Sequence, residues 1–324
     1  MQQAMTQSET GSVSVVRLGR SLAAEVRGID LSRPLDDADF AAVRRALLEH
    51  EVLIFRDQDI TPDDLMAFGR RFGPLSIHPF SPTMGDRPEL IVLDNHRDNP
   101  PRLTDIWHSD ETFRETPPLG TMLRSTITPR VGGDTMFASM SAAYEGLDER
   151  TRCFISGLEA EFDFKPFRTL FGNDPESRAK LHELEDRWPR LCHPVVRVHP
   201  ESGRKSIFVN RQFTIGIKDM KPSESGPLLE MLYGLANRPE YQYRLKWETD
   251  TVAFWDNRVV LHYAIHDYYP QRRRMERVTI AGDRPFGVDH PYDGPVVDRP
   301  EIELTEADTP PSADDSPVRA FKRE

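Results

Sequence analysis

Cysteine is scarce in this 324-residue chain: there are only two, too few for the disulfide framework of a small secreted domain. The sequence also lacks any apolar run of about 18 residues, the length that a transmembrane helix needs. Residues 1–12 are polar and lack the apolar segment of a secretory signal. These absences favour a cytoplasmic protein with free thiols and no membrane partner.

Positive charge is in the minority. Lys and Arg number 42 against 53 Asp and Glu, so the formal net charge is −11. An excess of acidic residues disfavours binding to nucleic acid or to anionic membranes, because both repel negative charge. The chain also lacks internal repeats and a Gly-rich phosphate loop. The expected partner is therefore a small molecule, and the sequence leaves homo-oligomerisation open.

Short strand patterns separated by turn residues dominate the chain, and helical patterns interrupt them. Strands are predicted at 51–55, 90–93, 121–125, 135–137, 195–198, 206–209, 242–247, 251–255 and 278–281. Helices are predicted at 36–50, from 62 to about 72, at 141–157 and at 223–236. This mixture predicts a mainly β fold, a double-stranded β-helix (jelly roll) with helical insertions, rather than alternating βαβ units.

The length permits a single β-rich domain, because such domains often reach about 250 residues. We assign residues 13–288 to this domain and residues 1–12 to a flexible N-terminus. From residue 289 to residue 324, prolines and acidic residues accumulate while apolar residues become few. A segment of this composition buries too little apolar surface to offset its ordering entropy, so the tail is predicted to be flexible.

The most informative pattern is His108-Ser109-Asp110, with His262 far downstream. On an extended strand the side chains at i and i+2 point the same way, so His108 and Asp110 could bind one ion together. Two imidazoles and one carboxylate are the ligand set of non-haem Fe(II) centres that keep positions open for O₂ and a co-substrate. The sequence therefore predicts an iron site, although His266 is as suitable as His262 on composition alone.

Four arginines between residues 272 and 277 form a second pattern. Arg suits a bound carboxylate because its planar guanidinium donates two parallel hydrogen bonds and stays charged when buried. On a strand Arg273 and Arg277 would face one side, while Arg272 and Arg274 would face the other. We expect Arg272 and Arg274 to be ordinary solvent-facing residues at the edge of a sheet.

Four motifs, in order, resemble the taurine dioxygenase family of Fe(II)/2-oxoglutarate-dependent oxygenases. They are WHSDETF at 107–113, GGDT at 132–135, WDNR at 255–258 with HYA at 262–264, and RVTIAGD at 277–283. The similarity extends from about residue 13 to about residue 285. The presence of Asp110 favours oxygenation over halogenation, because related halogenating enzymes have a small residue at that position.

The resemblance implies specific roles. His262 rather than His266 would be the third iron ligand, and Arg273 with the Thr135 hydroxyl would hold the distal carboxylate of 2-oxoglutarate. Arg277 would face the primary substrate. The implied cofactor is Fe(II), with 2-oxoglutarate and O₂ as co-substrates. The implied reaction oxidises a C–H bond, most simply by hydroxylation, while 2-oxoglutarate becomes succinate and CO₂.

The substrate pocket resembles that of the family only in part. His78 matches a residue that contacts the sulfonate of taurine, and Phe213 matches an aromatic wall. Ser81 and Thr104, however, stand where the family has a Tyr and an Asn, which removes polar contacts worth about 1 kcal/mol each. Because His78 and Arg277 persist, the expected substrate is an anion bulkier than taurine: an alkyl sulfate or sulfonate, an aryloxy acid, or a carboxylate intermediate of natural-product biosynthesis.

Two alternatives belong to other classes. A zinc hydrolase could use two His and one Asp, but it would not need an Arg and a Thr for a dicarboxylic acid. A non-catalytic jelly roll could bind a ligand, but it would have no use for a complete metal triad. Metal analysis and succinate formation would separate these hypotheses from the dioxygenase.

Overall fold

The computed structural model describes residues 13–79 and 83–302. The strands of this part are β1 (Ser14–Arg17), β2 (Ala24–Arg27), β3 (Val52–Phe55), β4 (Thr83–Met84), β5 (Arg87–Asn95), β6 (Gly120–Ile127), β7 (Thr135–Ser139), β8 (Glu159–Phe162), β9 (Leu191–Pro194), β10 (Val196–Val198), β11 (Lys205–Ile207), β12 (Thr214–Ile217), β13 (Gln242–Leu245), β14 (Val252–Asp256), β15 (Val260–Ala264) and β16 (Arg273–Ile280). The α-helices are α1 (Asp37–His50), α2 (Pro62–Arg70), α3 (Met140–Glu145), α4 (Glu149–Ser156), α5 (Pro175–Arg187) and α6 (Pro222–Gly234). Short 3₁₀ helices lie at Lys165–Leu170, Leu235–Asn237 and Pro239–Tyr241.

Two sheets form the body of the fold. The larger has eight strands in the order β1-β2-β3-β14-β6-β16-β5-β4, and the smaller has three in the order β13-β7-β15. They share one hydrophobic core, which contains Ile54 and Trp255 from the larger sheet and Phe137 and Leu245 from the smaller. Two sheets packed over a common core form the jelly roll that the strand pattern predicts.

The central strands are buried on both faces, because each face of the larger sheet is covered. Along β14, Val252 and Phe254 pack towards helices α1 and α2, whereas Ala253 and Trp255 pack into the core between the sheets. This alternation follows from the two-residue period of a strand. It explains why the central strands are continuous apolar runs.

Helix α2 begins where the sequence predicts. The Thr61 side chain accepts a hydrogen bond from the Asp64 N–H at 3.2 Å, and the Asp64 carboxylate accepts one from the Thr61 N–H at 2.8 Å. Pro62 occupies the first helical turn, where its missing N–H costs nothing. The helix buries Leu65 and Phe68 against the larger sheet. No helix of the described part has both the length and the apolar character needed to cross a membrane.

The chain between β7 and β13 forms the helical insertion, with α3 to α6 and the small sheets β12-β8-β9 and β10-β11. It has its own hydrophobic core, which includes Phe162, Phe208 and Leu232 and reaches Phe113 beside the HSD motif. The insertion therefore packs against the segment that carries His108 and Asp110.

Some predicted boundaries are wrong. The helix predicted at 141–157 is two helices, α3 and α4, because Asp148 starts the second by accepting a hydrogen bond from the Thr151 N–H at 3.0 Å. The strand predicted at 195–198 begins at Val196, and a separate strand, β9, precedes it. Helix α5 and strands β1, β2, β4, β8, β12 and β15 had not been predicted. Strand β15 matters most, since it carries His262.

The beginning of the predicted C-terminal tail lies against the domain. Arg299 donates from Nε to the Ser21 carbonyl oxygen at 2.8 Å. Its Nη2 donates to Glu51 Oε1 at 3.1 Å and to Ser139 Oγ at 3.0 Å. These contacts hold described residues of the 289–302 segment to the fold. The assignment of residue 289 as a domain boundary stays a prediction, and residues 1–12 and 303–324 lie outside the described part.

Candidate active site

His108 and His262 lie side by side on neighbouring segments. The His108 N–H donates to the His262 carbonyl oxygen at 3.1 Å, and the His262 N–H donates to the His108 carbonyl oxygen at 2.8 Å. Their ring centroids are 4.1 Å apart, and His262 Nε2 is 3.8 Å from Asp110 Oδ1. One ligand atom from each of the three residues lies within 4.8 Å of the others, and all three side chains are buried. The structure thus brings the predicted triad together.

The path of the chain through the triad differs from the predicted one. Within the HSD segment, only His108 takes part in β pairing, as an isolated bridge to His262 of β15. Asp110 begins a turn, and Glu111 adopts a left-handed φ of 48°. Asp110 therefore reaches the two imidazoles by way of a tight turn and not by strand alternation.

The WDNR motif spans the end of β14 and the turn that leads to β15, and so positions His262. Arg258 donates from Nε to Asp256 Oδ1 at 2.8 Å and from Nη2 to Oδ2 at 2.6 Å. His199 Nε2 lies 3.0 Å from the same Oδ2. All three side chains are buried, and the neighbouring Arg258 and His199 hold the pKa of Asp256 well below its usual range, although burial alone would raise it.

The protonation states of the triad fit a divalent cation. His108 Nδ1 lies 2.7 Å from the Ile106 carbonyl oxygen, so Nδ1 carries the proton and Nε2 keeps a free lone pair. Burial lowers the pKa of both His108 and His262. Burial alone would raise the pKa of Asp110, but the combined effect of Arg277 and the two histidines is larger and lowers this pKa below its usual value. The carboxylate therefore stays ionised. Two neutral imidazoles and one carboxylate fit Fe(II).

One cavity opens onto the triad. It is lined by Leu93, Asn95, Arg102, Thr104, His108, Asp110, Leu123, Thr135, Trp255, His262, Ala264, His266, Tyr268, Arg273 and Arg277. The predicted metal, 2-oxoglutarate and Arg277 positions therefore share one space with Thr104. Arg273 and Arg277 do face the same side of β16, as their sequence spacing predicts.

Arg273 is a buried cation in the wall of this cavity. Its Nε donates to the Gly133 carbonyl oxygen at 3.0 Å, and its Nη2 donates to Thr135 Oγ1 at 3.4 Å. Its guanidinium carbon lies 5.7 Å from the centre of the Trp247 ring and 5.8 Å from that of Tyr268. Burial lowers the pKa of Arg273 to about 10, so it is still charged at neutral pH. A buried guanidinium between aromatic rings is suited to bind a carboxylate.

Arg277 lies directly beside the triad. Its Nη2 is 2.9 Å from Asp110 Oδ1 and 3.9 Å from Glu111 Oε1. Within the described residues neither Nη2 nor Nε donates a hydrogen bond of good geometry, so the contact with Asp110 is an ion pair only. Burial raises the pKa of Glu111 to about 7, against the effect of the neighbouring Arg114.

His78 and Phe213 belong to an aromatic cluster. The His78 ring centroid is 5.6 Å from that of Phe167, which is 5.9 Å from that of Phe213. Burial, with a smaller contribution from Arg277, lowers the pKa of His78 to about 3, so this imidazole is neutral at pH 7. Ser81 lies outside the described residues.

Thr104 and His266 contact each other on the cavity wall. Thr104 Oγ1 lies 2.9 Å from His266 Nε2, and His266 Nδ1 lies 3.7 Å from Asp105 Oδ2. The His/Asp cluster found in the described residues consists of His108, Asp110 and His262 without His266. This geometry favours His262 over His266 as the third ligand.

Comparison with known proteins decides the family. The model of the family described as "Taurine catabolism dioxygenase TauD, TfdA family" matches residues 14–279. The chain belongs to this family. It is 36% identical, over 83% of its length and 89% of the relative, to an alpha-ketoglutarate-dependent sulfate ester dioxygenase of Pseudomonas putida. It is 32% identical to an (S)-phenoxypropionate/alpha-ketoglutarate-dioxygenase of Sphingobium herbicidovorans, over 83% of this chain and 95% of that protein.

Solved structures of the family support the fold and the chemistry. A taurine dioxygenase from Burkholderia xenovorans superposes with a TM-score of 0.74 at 35% identity, covering 86% of this chain and 92% of that one. The structure of AAD-2 in complex with Mn(II) and N-oxalylglycine gives a TM-score of 0.71 at 30% identity, covering 85% and 99%. The chain is therefore an Fe(II)/2-oxoglutarate-dependent dioxygenase, which uses Fe(II), 2-oxoglutarate and O₂. The predicted family, jelly roll, enzyme class and cofactors are confirmed.

Several residues of this dioxygenase site were not predicted from the sequence. Trp247 donates from Nε1 to Thr135 Oγ1 at 2.9 Å, and Thr121 donates to Asp110 Oδ2 at 2.6 Å. Asn257 lies within the WDNR motif, but its position in the motif does not indicate which side chains it meets. Arg102 lines the cavity as an exposed residue. For all of these unpredicted residues, the only signal in the sequence is proximity to a motif or to the end of a strand.

Proposed function

We propose that this dioxygenase oxidises a C–H bond of an organic anion that is bulkier than taurine, most simply by hydroxylation. The anionic group binds between His78 and Arg277, and the apolar part extends along the cavity wall. Relatives whose names specify sulfate esters and phenoxypropionate support an anionic substrate.

Separate residues of the cavity wall bind the metal and the distal carboxylate of 2-oxoglutarate. His108, Asp110 and His262 hold Fe(II), which when bound supplies O₂ activation coupled to conversion of 2-oxoglutarate to succinate and CO₂. Arg273 and the Thr135 hydroxyl hold the distal carboxylate of 2-oxoglutarate. The buried charge on Arg273 supports this assignment, because a buried cation is costly unless an anion pairs with it, and the distal carboxylate would be that anion.

The observation that carries the substrate assignment is the position of Arg277. Its Nη2 lies 2.9 Å from Asp110 Oδ1, and its Nε donates no hydrogen bond within the described residues. An anion held by this guanidinium would have its neighbouring carbon close to the metal. Because His78 is neutral at pH 7, it would contribute an N–H donor without adding charge.

The walls support a substrate larger and more apolar than taurine. Leu93, Leu123 and Ala264 line the cavity. The Thr104 hydroxyl is already paired with His266 at 2.9 Å, which reduces what it can offer to a small polar amine. Hydrophobic walls with a few fixed polar groups are typical of pockets for larger organic ligands.

A substrate panel tests the proposal. Alkyl sulfates, alkyl sulfonates and aryloxyalkanoic acids are compared with taurine and with neutral alcohols of matched chain length, and succinate formation is measured with Fe(II), 2-oxoglutarate and O₂. We expect a bulkier anion to exceed taurine in kcat/KM by about tenfold or more, since lost polar contacts are worth about 1 kcal/mol each. Taurine as the best substrate, or neutral alcohols equal to the anions, would contradict the proposal.

An Arg277→Leu variant identifies the anion-binding residue. We expect its kcat/KM for the best anion to fall about 30-fold or more, the usual cost of losing one partner of a charged pair. The matched control is Arg274→Leu on the same strand, whose partner Glu276 keeps its ion pair with Arg124. Binding of Mn(II) to both variants shows whether the metal site survives. An Arg277→Leu enzyme with unchanged kcat/KM would refute the role of this residue.

A further inference from the structure

The two oxygens of the Asp110 carboxylate have different surroundings. Oδ2 accepts a hydrogen bond from the Thr121 hydroxyl at 2.6 Å. Oδ1 faces the imidazole of His262 at 3.8 Å and the guanidinium of Arg277 at 2.9 Å. Both Asp110 and Thr121 are buried. Oδ1 is therefore the oxygen that faces His262 and Arg277, while Oδ2 is bound to Thr121.

Asn257 determines the direction of the hydrogen bond from Thr121. The Asn257 Nδ2 donates to Thr121 Oγ1 at 3.0 Å. An amide NH₂ group can only donate, so the hydroxyl oxygen must accept this bond. The single proton of the hydroxyl is then available for Asp110 Oδ2.

Trp255 in turn determines the orientation of the Asn257 amide. Its indole Nε1 donates to Asn257 Oδ1 at 2.9 Å, and the Asp110 N–H lies 3.5 Å from the same oxygen. An indole N–H cannot accept, so exchanging Oδ1 and Nδ2 would set two donors against each other. The donor directions thus run one way from Trp255 through Asn257 and Thr121 to Asp110.

This chain of hydrogen bonds lies on the central strands of the larger sheet. Thr121 lies on β6 opposite Trp255 of β14 on one side and Thr279 of β16 on the other. These are three adjacent strands of the eight-stranded sheet. The Thr121 side chain is fully buried there, and Trp255 and Asn257 are nearly so.

We propose that Thr121, oriented by Asn257 and Trp255, is a positioning residue of the metal centre that reserves Oδ2 and leaves Oδ1 as the only oxygen of Asp110 able to bind the metal. The inference rests on the proposed role of the triad. A carboxylate that binds through one oxygen keeps a coordination position open that two-oxygen binding would occupy, and 2-oxoglutarate and O₂ need such positions. Outer partners of this kind orient metal ligands in other proteins.

Thr121→Val tests the proposal, because it removes the hydroxyl with little change of shape. The matched control is Thr279→Val: Thr279 is the cross-strand neighbour, is equally buried, and its hydroxyl has no hydrogen-bond partner in the described residues. Mn(II) affinity is measured by titration followed by electron paramagnetic resonance. We expect about 10–100-fold weaker binding for Thr121→Val, near wild-type binding for Thr279→Val, and substantial recovery for Thr121→Ser.

Failure of this proposal can be distinguished from failure of the metal assignment. Equal Mn(II) affinity for the Thr121→Val and Thr279→Val proteins would overturn the proposal. Asp110→Ala checks the triad itself: if it binds Mn(II) like the wild type, the metal assignment fails, and with it the premise. A crystal structure of the wild-type protein with Mn(II) tests the proposal without depending on whether a variant folds. We expect Oδ1 on the metal and Oδ2 on Thr121, and binding through both oxygens would contradict the inference.

Discussion

Trp247 donates its indole N–H to the Thr135 hydroxyl oxygen at 2.9 Å, next to the buried guanidinium of Arg273. Thr135 Oγ1 thus accepts from two groups that can only donate. Its own proton has to be donated elsewhere, and the cavity is where Thr135 faces. The arrangement prepares a hydroxyl donor beside a guanidinium, as a bound carboxylate requires.

Trp247→Phe should therefore weaken 2-oxoglutarate binding without abolishing it. The expected loss is about fivefold in affinity, equivalent to about 1 kcal/mol for one hydrogen bond. Quenching of protein fluorescence by 2-oxoglutarate in the Mn(II)-loaded protein measures it. Trp188→Phe is the control, since the buried Trp188 indole N–H has no hydrogen-bond partner in the described residues. Equal affinities for the two variants would mean that Trp247 does not orient Thr135.

Arg273→Ala should reduce 2-oxoglutarate affinity by about 2–5 kcal/mol, because it removes one partner of a buried charge pair. Arg273→Lys should recover only part of this, since an ammonium cannot donate two parallel hydrogen bonds. Arg272→Ala, next in the chain but exposed and paired with Asp94, is the control. Unchanged 2-oxoglutarate affinity in Arg273→Ala would exclude the assigned role.

The stability of the metal-free protein should depend on pH through buried histidines. Burial lowers the pKa of both His50 and His193 to about 4. Each imidazole is neutral in the fold. Its contribution to the free energy of unfolding is therefore complete above about pH 6.5, the pKa of histidine in the unfolded chain, and is lost as the pH falls towards 4. Glu111, whose pKa is raised to about 7, opposes this trend, because the fold favours its protonated form as the pH falls.

We therefore expect the free energy of unfolding, measured with urea, to decrease as the pH is lowered from 6.5 to 4.5. His193→Gln should reduce the slope by about 1.4 kcal/mol per pH unit, the effect of one proton. His182→Gln is the control, because His182 is exposed. A stability that is constant or rises as the pH falls would contradict the sign of these pKa shifts.

The sequence was sufficient for the parts of the site that local spacing and motifs encode. Strand parity predicted that Arg273 and Arg277 share a side, and both line the cavity. The meeting of His108, Asp110 and His262 was also predicted, but the turn that achieves it was not. Glu111 adopts its left-handed φ of 48° without any residue preference that would signal it.

Side-chain hydrogen bonds between distant residues could not be predicted in this way. Asn257 and Thr121 are 136 positions apart, and Trp247 and Thr135 are 112 apart. Their contact depends on the order of strands in the sheets, which hydrophobic periodicity does not specify. The break between α3 and α4 was missed for a local reason: apolar spacing continues across it, and the capping role of Asp148 was not recognised.

The most direct test of the account is an anaerobic titration of the Fe(II)-loaded protein with 2-oxoglutarate, monitored by the metal-to-ligand charge-transfer absorption band. We expect the wild type and His266→Ala to develop the band, and the His108→Ala, Asp110→Ala and His262→Ala proteins to lose both iron and band. A His262→Ala protein that keeps the band while His266→Ala loses it would contradict the assigned triad.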